Sequence, residues 1–298
     1  MSGLSPSFRA ILAMLAAVGC FSLMDAALKG LTGAYPPLQV AALRGLAAFP
    51  LVCAYIAWQV PLRTLVQVRW PMHLLRGVLN VGMLCSFAIG IGQLAIAEAY
   101  TLFFISPLVV TALAVPLLQE PARRAHWIAI GIGLCGVLIA MRPGGDSMVS
   151  WGALAILVSS LCYSGTVLTA RIITRTEGTA SVVFWTTFFM AAGASALALP
   201  GWQTVQPVHW PMIAAMGLTG FGGTVAITYA FKHGKTASVA PFEYSALAWA
   251  IAIDYLIWNT TPDAYTLVGG CIVILSGLYL IRDERGQAAE AAKLAQHP

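Results

Sequence analysis

Charged side chains are scarce in this sequence. Asp, Glu, Lys and Arg make up 9% of its 298 residues, whereas ordinary globular domains carry about 25% charged residues. Hydrophobic residues account for 59%, and the mean hydropathy is +0.82. A water-soluble protein with so few charges could not cover its own surface. The composition therefore excludes a soluble catalytic domain and predicts that lipid is the solvent of this chain.

Several chemical signatures are missing as well. The six cysteines form no C-x-x-C pair or metal-binding spacing, so we interpret them as small buried apolar residues. No Walker motif is present, which excludes ATP coupling within the chain. The net charge of +5 is not gathered into a basic run that could follow a phosphate backbone. We expect no cofactor, no metal and no nucleic-acid partner.

Ten apolar segments fill almost the whole chain. Each has about the length, ~20 residues, that a helix needs to cross a ~30 Å hydrocarbon core. Prolines and glycines punctuate the short breaks between them. The segments run over 8–31, 37–58, 71–92, 96–118, 125–141, 151–173, 179–199, 209–231, 236–258 and 264–282.

Positive charge predicts the orientation, because Lys and Arg are enriched on the cytoplasmic side of membrane proteins. With the N-terminus inside, only Lys29 and Arg142 fall on the outer side. Both termini are therefore expected in the cytoplasm. The cytoplasmic ends and loops collect Arg9, Arg63, Arg69, Arg123, Arg124, Arg175, Lys232, Lys235, Arg282, Arg285 and Lys293.

The chain also repeats itself. Trp70-Pro71-Met72, followed by Gly77 and Gly82, recurs 140 residues later as Trp210-Pro211-Met212, followed by Gly217 and Gly222. Pro121 and Gly136 recur as Pro262 and Gly277 at an offset of 141. Such self-similarity indicates two copies of a five-helix unit.

Because five is odd, the second copy must enter the bilayer from the opposite face. We therefore predict an all-α membrane protein whose ten transmembrane helices form a 5+5 inverted-topology repeat, with the substrate site near the midplane between the halves. The first unit is 1–147, the second is 148–286, and 287–298 is a polar cytoplasmic tail. Glycines in the fifth and tenth segments predict close helix packing.

The order of short motifs along these segments resembles the EamA-type members of the drug/metabolite transporter superfamily. The motifs are Asp25-Ala26-Ala27-Leu28-Lys29, Leu43-Arg44-Gly45, His73-Leu74-Leu75-Arg76-Gly77, Pro107 thirteen residues before Glu120, and Thr236 to Tyr244. The chain is most similar to the subgroup that includes bacterial carriers of S-adenosylmethionine and riboflavin. The resemblance implies a ten-helix carrier in the bacterial inner membrane.

Ionisable groups inside a membrane are costly, so each is a candidate functional residue. Asp25 and Lys29 lie one turn apart and can pair with each other, while Arg44 enters the bilayer from the same side. One alternative is a neutralising cluster that joins two helices. The other makes Asp25 a proton or cation site, or the partner of a substrate amine. For Arg76, the alternatives are a side chain that reaches to the interface or a guanidinium that binds a substrate carboxylate or phosphate.

A second polar cluster lies in the ninth segment, where Glu243, Tyr244 and Trp249 are candidate binding or coupling residues. Asp254 is expected only to reach the membrane interface. Aromatic side chains suit the walls of an amphipathic pocket, and prolines bend helices because they remove a backbone hydrogen bond. The predicted pocket walls are Tyr100, Phe104 and Tyr163, and the predicted bends are Pro107 and Pro241.

These residues predict a secondary transporter that moves a small organic metabolite by alternating access. An amino acid, an S-adenosylmethionine-like solute and a vitamin-like solute are all compatible, as are import and export, and proton coupling and simple exchange. The rival interpretations are a channel and an intramembrane enzyme such as a protease or a lipid-modifying transferase. The expected partners are the substrate and the bilayer, and a homodimer is compatible with the sequence.

Overall fold

The computed structural model describes residues 6–59, 65, 68–119, 124–141, 150–233 and 240–296. Over these residues it is entirely helical. The eleven α helices are α1 Pro6–Thr32, α2 Pro37–Gln59, α3 Trp70–Ile91, α4 Ile96–Phe103, α5 Ser106–Leu118, α6 Arg124–Met141, α7 Trp151–Ile173, α8 Thr179–Ala198, α9 Trp210–His233, α10 Ala246–Trp258 and α11 Ala264–Gln296. Several residues used above lie outside the described ones: Arg63, Glu120, Pro121, Arg123, Arg142, Lys235 and Thr236 to Val239.

The described helices form eight spans that are long and apolar enough to cross a membrane. They coincide with the first eight predicted segments, with α4 and α5 sharing one span, Ile96–Leu118. The ninth segment is described from Ala240 onward. The tenth begins with a shorter apolar stretch, Ala264–Tyr279, and α11 then continues as a helix through the predicted polar tail to Gln296. Within a bilayer, helices satisfy their own backbone hydrogen bonds, which is why such apolar runs fold this way.

Helices of the first half pack mainly on helices of the second half. The most extensive contacts join α1 to α9, α3 to α7, α6 to α11 and α2 to α8. The α1–α9 pair is antiparallel, since Gly30 lies against Met212 whereas Met24, further back on α1, lies against Gly220, further along α9. Comparable contacts make the other three pairs antiparallel as well. The halves are therefore interleaved rather than side by side.

Among the described residues, one apolar segment in each half departs from a continuous α helix, and these two segments are named the interrupted spans. The first breaks between α4 and α5, where Phe104 is not part of either helix; Pro107, in the first turn of α5, has no N–H to continue the α4 hydrogen bonds. The second begins as a 3₁₀ helix, Ala240–Ser245, before α10. Phe104 and Tyr244 are 140 residues apart in sequence, and their rings are in contact at 5.2 Å.

Polar contacts join the two halves at both ends of the bundle. At one end, named here the Tyr35 end, the Tyr35 hydroxyl accepts the Gln206 backbone N–H and contacts His209 Nδ1, both at 2.8 Å. Gln39 exchanges two hydrogen bonds with the backbone of Gln203, at 2.6 and 2.9 Å. These contacts tie the α1–α2 corner to the segment that precedes α9.

At the opposite end, named the Glu177 end, the start of α3 contacts the short connection between α7 and α8. Glu177 Oε2 lies 2.7 Å from Nε2 of the buried His73, and Glu177 Oε1 accepts the Arg69 backbone N–H at 2.8 Å. The Arg69 guanidinium donates to the Thr176 hydroxyl. Burial alone would raise the pKa of the Glu177 carboxyl, but the hydrogen bonds from His73 and Arg69 outweigh it and lower this pKa below its usual range.

Glu177→Gln is expected to destabilise the protein at neutral pH, because the contact of Glu177 with His73 is buried. A carboxyl whose pKa is lowered by folding adds stability above its unfolded pKa, and this stability is lost as the pH falls through the folded pKa. The difference in apparent melting temperature between wild type and variant should therefore shrink in acid. Arg69→Gln should cost less, since that side chain is half exposed. A melting-temperature difference between wild type and Glu177→Gln that grows as the pH falls would show that the ionised Glu177 carboxylate is not what stabilises the protein.

The close approach of α6 to α11 gives a stability prediction with a matched control. A Cβ added at Gly269 would lie 2.5 Å from the backbone oxygen of Gly136, whereas a Cβ at Gly131 meets nothing within 4 Å. Gly269→Ala is expected to cost about 1–3 kcal/mol through overpacking. Gly131→Ala should instead be neutral or add about 0.5–1 kcal/mol, since alanine favours helices. Thermal unfolding in detergent measures both, and equal effects would contradict the predicted interface.

Candidate functional site

A cavity of about 350 Å³ lies beside the two interrupted spans. Helices of both halves contribute to its wall, and the residues at the interruptions, Phe103, Phe104 and Glu243, are among its lining. The remaining lining residues are Val18, Phe21, Met24, Asp25, Arg44, Met83, Phe87, Tyr100, Ser159, Tyr163, Ile227 and Ala246. The volume falls within the range of about 300–1,000 Å³ that small-molecule sites occupy.

The structure brings most of the sequence-predicted site residues together at this cavity. Their role in binding stays a prediction, but their shared location is a property of the fold. Those that line the cavity are Asp25, Arg44, Tyr100, Phe104, Tyr163 and Glu243.

Asp25 is held by two neighbours. Its Oδ2 accepts a hydrogen bond of 2.7 Å from the Tyr100 hydroxyl, and its Oδ1 lies 3.5 Å from Arg44 Nη1. The carboxylate is 6% exposed, so its negative charge is compensated almost entirely by the protein. The cluster joins α1, α2 and α4, all of the first half.

Lys29 does not pair with Asp25, which corrects the pairing that the one-turn spacing suggested. Its ammonium lies 3.3 Å from Asp254 Oδ1 on α10 and 4.6 Å from the centre of the Trp258 ring. Asp254 is also not the interfacial group expected from sequence, because it is 1% exposed. Its Oδ2 accepts the backbone N–H of Ala97 at 2.8 Å, in the first turn of α4. Asp254 therefore joins α1, α4 and α10.

Arg76 is not among the cavity-lining residues, and its predicted role in binding stays a prediction. Its Nε donates to the Thr186 hydroxyl at 2.7 Å, and its Nη1 donates to the carbonyl oxygen of Thr166. The guanidinium therefore links α3 to α7 and α8 behind the cavity wall. It stays close enough to the cavity residue Tyr163 to interact with it electrostatically.

Tyr244 and Trp249 also lie away from the cavity lining. The Tyr244 hydroxyl packs on the backbone of Gly277 in α11, behind Phe104. The Trp249 ring covers Gly19 of α1 and is 42% exposed on the outer surface of the bundle. Of the two predicted bends, Pro107 follows the first interruption and Pro241 lies within the 3₁₀ helix of the second.

Aromatic rings form much of the wall. Phe103 contacts both Phe87 and Tyr163, with ring centres 5.7 and 5.2 Å apart, and Tyr100 contacts Phe104 at 6.2 Å. The sequence did not predict several apolar lining residues, among them Met24 and Met83. In a helix that is apolar all round, the sequence does not show which residues point towards a cavity. Within the described ranges, no group of three or more His, Cys, Asp or Glu side chains is placed to hold a metal ion.

Comparison with known proteins places this architecture among transporters. The model of the EamA-like transporter family matches the chain twice, over residues 8–142 and 150–282. The boundary between the two matches falls at the break between α6 and α7. The family model therefore matches the chain once on each side of that break.

Individual relatives are transporters of different solutes. The chain is 27% identical over 280 residues to the pseudopaline exporter CntI of Pseudomonas aeruginosa, covering 93% of this chain and 96% of the relative. It is 23% identical over 222 residues to the S-adenosylmethionine uptake transporter of Rickettsia conorii, covering 74% and 75%. A solved crystal structure with 19% identity superposes with a TM-score of 0.63, over 91% of this chain and 96% of the other. This last likeness concerns the fold alone.

Proposed function

Because the chain belongs to the EamA-like transporter family, we propose that it is a secondary transporter that moves a small organic metabolite across the inner membrane by alternating access. The observation that carries the proposal is the cavity between helices of both halves, which lies beside the interrupted span of each half. Discontinuous spans near the midplane are where secondary carriers place their substrate sites, because unwound backbone and cavity-facing side chains are tolerated there.

The proposed mechanism requires two halves of opposite orientation, 1–147 and 148–286. The packing directions support this arrangement. Helix α2 runs parallel to α9 and antiparallel to α8, while α3 runs parallel to α8 and antiparallel to α7. It follows that α1 and its counterpart α7 point in opposite directions. Gln119 and Asn259, 140 residues apart, also end α5 and α10 with the same left-handed backbone, φ 54° and 52°.

The Glu177 end is the proposed cytoplasmic face. Arg69 lies there, as do the start of α1 with Arg9 and the end of α9 with Lys232, whereas Lys29 lies towards the Tyr35 end. The positive-inside rule then places both termini in the cytoplasm. A reporter fused to the C-terminus that is active only on the outer side would overturn this orientation.

We infer the substrate class from the cavity wall, which combines aromatic faces with three charged side chains, Asp25, Arg44 and Glu243. A solute with an apolar or aromatic body and charged groups fits such a wall. An amino acid, an S-adenosylmethionine-like solute and a vitamin-like solute all meet this description. The named relatives include both an exporter and an uptake transporter. The direction of transport is therefore to be measured, and we take it from neither relative.

Reconstitution into proteoliposomes tests the proposal. Saturable uptake of a radiolabelled amino acid, S-adenosylmethionine or riboflavin, competed by unlabelled analogues and accelerated by preloading the vesicles, is the expected result. An imposed pH gradient tests coupling to protons through Asp25 or Glu243. Solute flux that grows linearly with concentration would indicate a channel, and chemical conversion of the solute would indicate an enzyme.

A further inference from the structure

The charges around the cavity are not balanced. Asp25, Arg44 and Glu243 are its charged lining residues, and with both carboxylates ionised they sum to one negative charge. Asp25 is compensated by Tyr100 and Arg44, as described above. A solute with a net positive charge would neutralise the cavity, whereas a second negative charge would be repelled from it.

Arg44 retains unused hydrogen-bonding capacity. A guanidinium has five N–H donors in a fixed planar fork, and the contact of Arg44 with Asp25, at 3.5 Å, is longer than a hydrogen bond. Among the described residues, Arg44 has no hydrogen-bonded side-chain acceptor. Its side chain is 20% exposed and lines the cavity. The remaining donors can therefore hold a carboxylate in a bidentate geometry.

Glu243 is the complementary group. Its side chain is exposed and lines the cavity, and no cationic side chain in the described part of the chain pairs with it. Arg76, which like Glu243 lies within electrostatic range of Tyr163, is engaged with Thr186 and the Thr166 carbonyl. The ring of Tyr163 lies within electrostatic range of Glu243, and an aromatic face adds attraction for a bound cation.

Arg44 and Glu243 lie at opposite ends of the cavity. On α1, the lining extends from Asp25, beside Arg44, to Val18, which is about 10 Å of helix at ~1.5 Å per residue. Phe242, next to Glu243, packs against the cluster formed by Ala10, Met14, Val18 and Ala230, which places Glu243 towards the Val18 end of the lining. A solute that contacts both charges must be elongated, with its anionic and cationic groups separated by an apolar chain.

We propose that the cavity binds a cationic amino acid or a similar elongated solute of net charge +1, with its carboxylate on Arg44 and its distal cationic group on Glu243. This inference rests on the transporter function proposed above. Because Arg44 belongs to the first half and Glu243 to the second, one bound solute contacts both moving parts. L-Lysine is a fitting probe, since methylene groups separate its carboxylate from its side-chain ammonium.

Three probes and two variants test the proposal. L-Lysine is compared with L-norleucine, which lacks the distal ammonium, and with cadaverine, which lacks the carboxylate, by the rise in melting temperature of the purified full-length protein. Wild type should bind lysine at least about tenfold more tightly than either analogue, since a hydrogen-bonded charge contributes about 1.5–3 kcal/mol. Glu243→Gln should remove the preference for lysine over norleucine and leave the preference over cadaverine.

The carboxylate contact is tested in Asp25→Asn/Arg44→Gln, because Arg44→Gln alone would leave Asp25 buried without a cation. This double variant should lose the preference over cadaverine and keep the preference over norleucine. Asp283→Asn, a carboxylate on α11 away from the cavity, should change neither.

A lysine preference that survives Glu243→Gln would overturn the proposal, as would equal binding of lysine and norleucine by wild type. If lysine does not bind while another solute is transported in proteoliposomes, this substrate class is wrong and the transporter function stands. If no solute of any class is transported, the transporter function itself fails.

Discussion

Asp254→Ala is expected to lower the melting temperature more than any of the single substitutions described in the Results. The Asp254 carboxylate is 1% exposed, and it serves both the Lys29 ammonium at 3.3 Å and the Ala97 backbone N–H at 2.8 Å. Removing one partner of a buried ion pair costs about 3–5 kcal/mol, because the other charge is left uncompensated. The side chain of Lys29 is 14% exposed, which places the expected loss towards the lower end of that range.

Asp254→Asn separates the two contributions. The amide oxygen can still accept the Ala97 N–H, so this variant should lose only the charge interaction and be less destabilised than Asp254→Ala. Lys29→Met leaves Asp254 buried without its cation, and Lys29→Met/Asp254→Asn should be more stable than the sum of the single losses predicts. Thermal unfolding in a single detergent measures the melting temperatures of all four variants, including Asp254→Ala. Additive losses would show that the ion pair contributes nothing of its own.

Asp25→Asn is expected to reduce the initial rate of transport at least tenfold while the protein still folds. The substitution preserves the shape of the side chain and the Tyr100 contact, but it removes the carboxylate beside Arg44. With Glu243 ionised, the sum of the charges that line the cavity rises from minus one to zero, so the attraction of the cavity for a solute of net positive charge weakens; a loss of about 1.4 kcal/mol in binding is a tenfold change. Uptake into proteoliposomes, normalised to the amount of folded protein, measures the effect.

Two further variants make the Asp25 result specific. Tyr100→Phe removes only the 2.7 Å hydrogen bond and should reduce transport less than Asp25→Asn. Cys135→Ala changes an exposed residue of α6 and should leave transport unchanged. If Asp25→Asn transports at the wild-type rate with an unchanged dependence on pH, Asp25 serves only to join helices α1, α2 and α4.

The positions of the spans could be predicted closely because the bilayer imposes a simple rule. A segment must be apolar for about 20 residues and helical throughout, so hydropathy alone locates it. The first predicted segment, 8–31, corresponds to the span Phe8–Thr32, and the sixth, 151–173, to Trp151–Ile173. The repeated Trp-Pro-Met motif could also be found locally, since Trp70 and Trp210 each open a helix, of 22 and 24 residues.

The site could be predicted only in part, because sequence spacing does not show which distant residues meet. Asp25 and Lys29 are neighbours on one helix face, yet Lys29 pairs with Asp254, 225 residues away. Arg76 has the charge of a ligand-binding residue, yet its Nε and Nη1 donate to Thr186 and the Thr166 carbonyl, and it does not line the cavity. The pair of His73 and Glu177 was missed because both lie near span ends, where ionisable residues are ordinary.

The amino-acid sequence by itself determined that this protein lies in a membrane and where its spans begin and end. It also identified the ionisable residues that lie within apolar spans, where their burial costs free energy. These properties follow from the solvent and the local chain, and they depend little on distant contacts. Only the tertiary structure decided that Glu243 and Arg44 line one cavity and that Asp254 neutralises Lys29. Those outcomes depend on how the two interleaved halves pack, and packing brings together side chains that no local pattern connects.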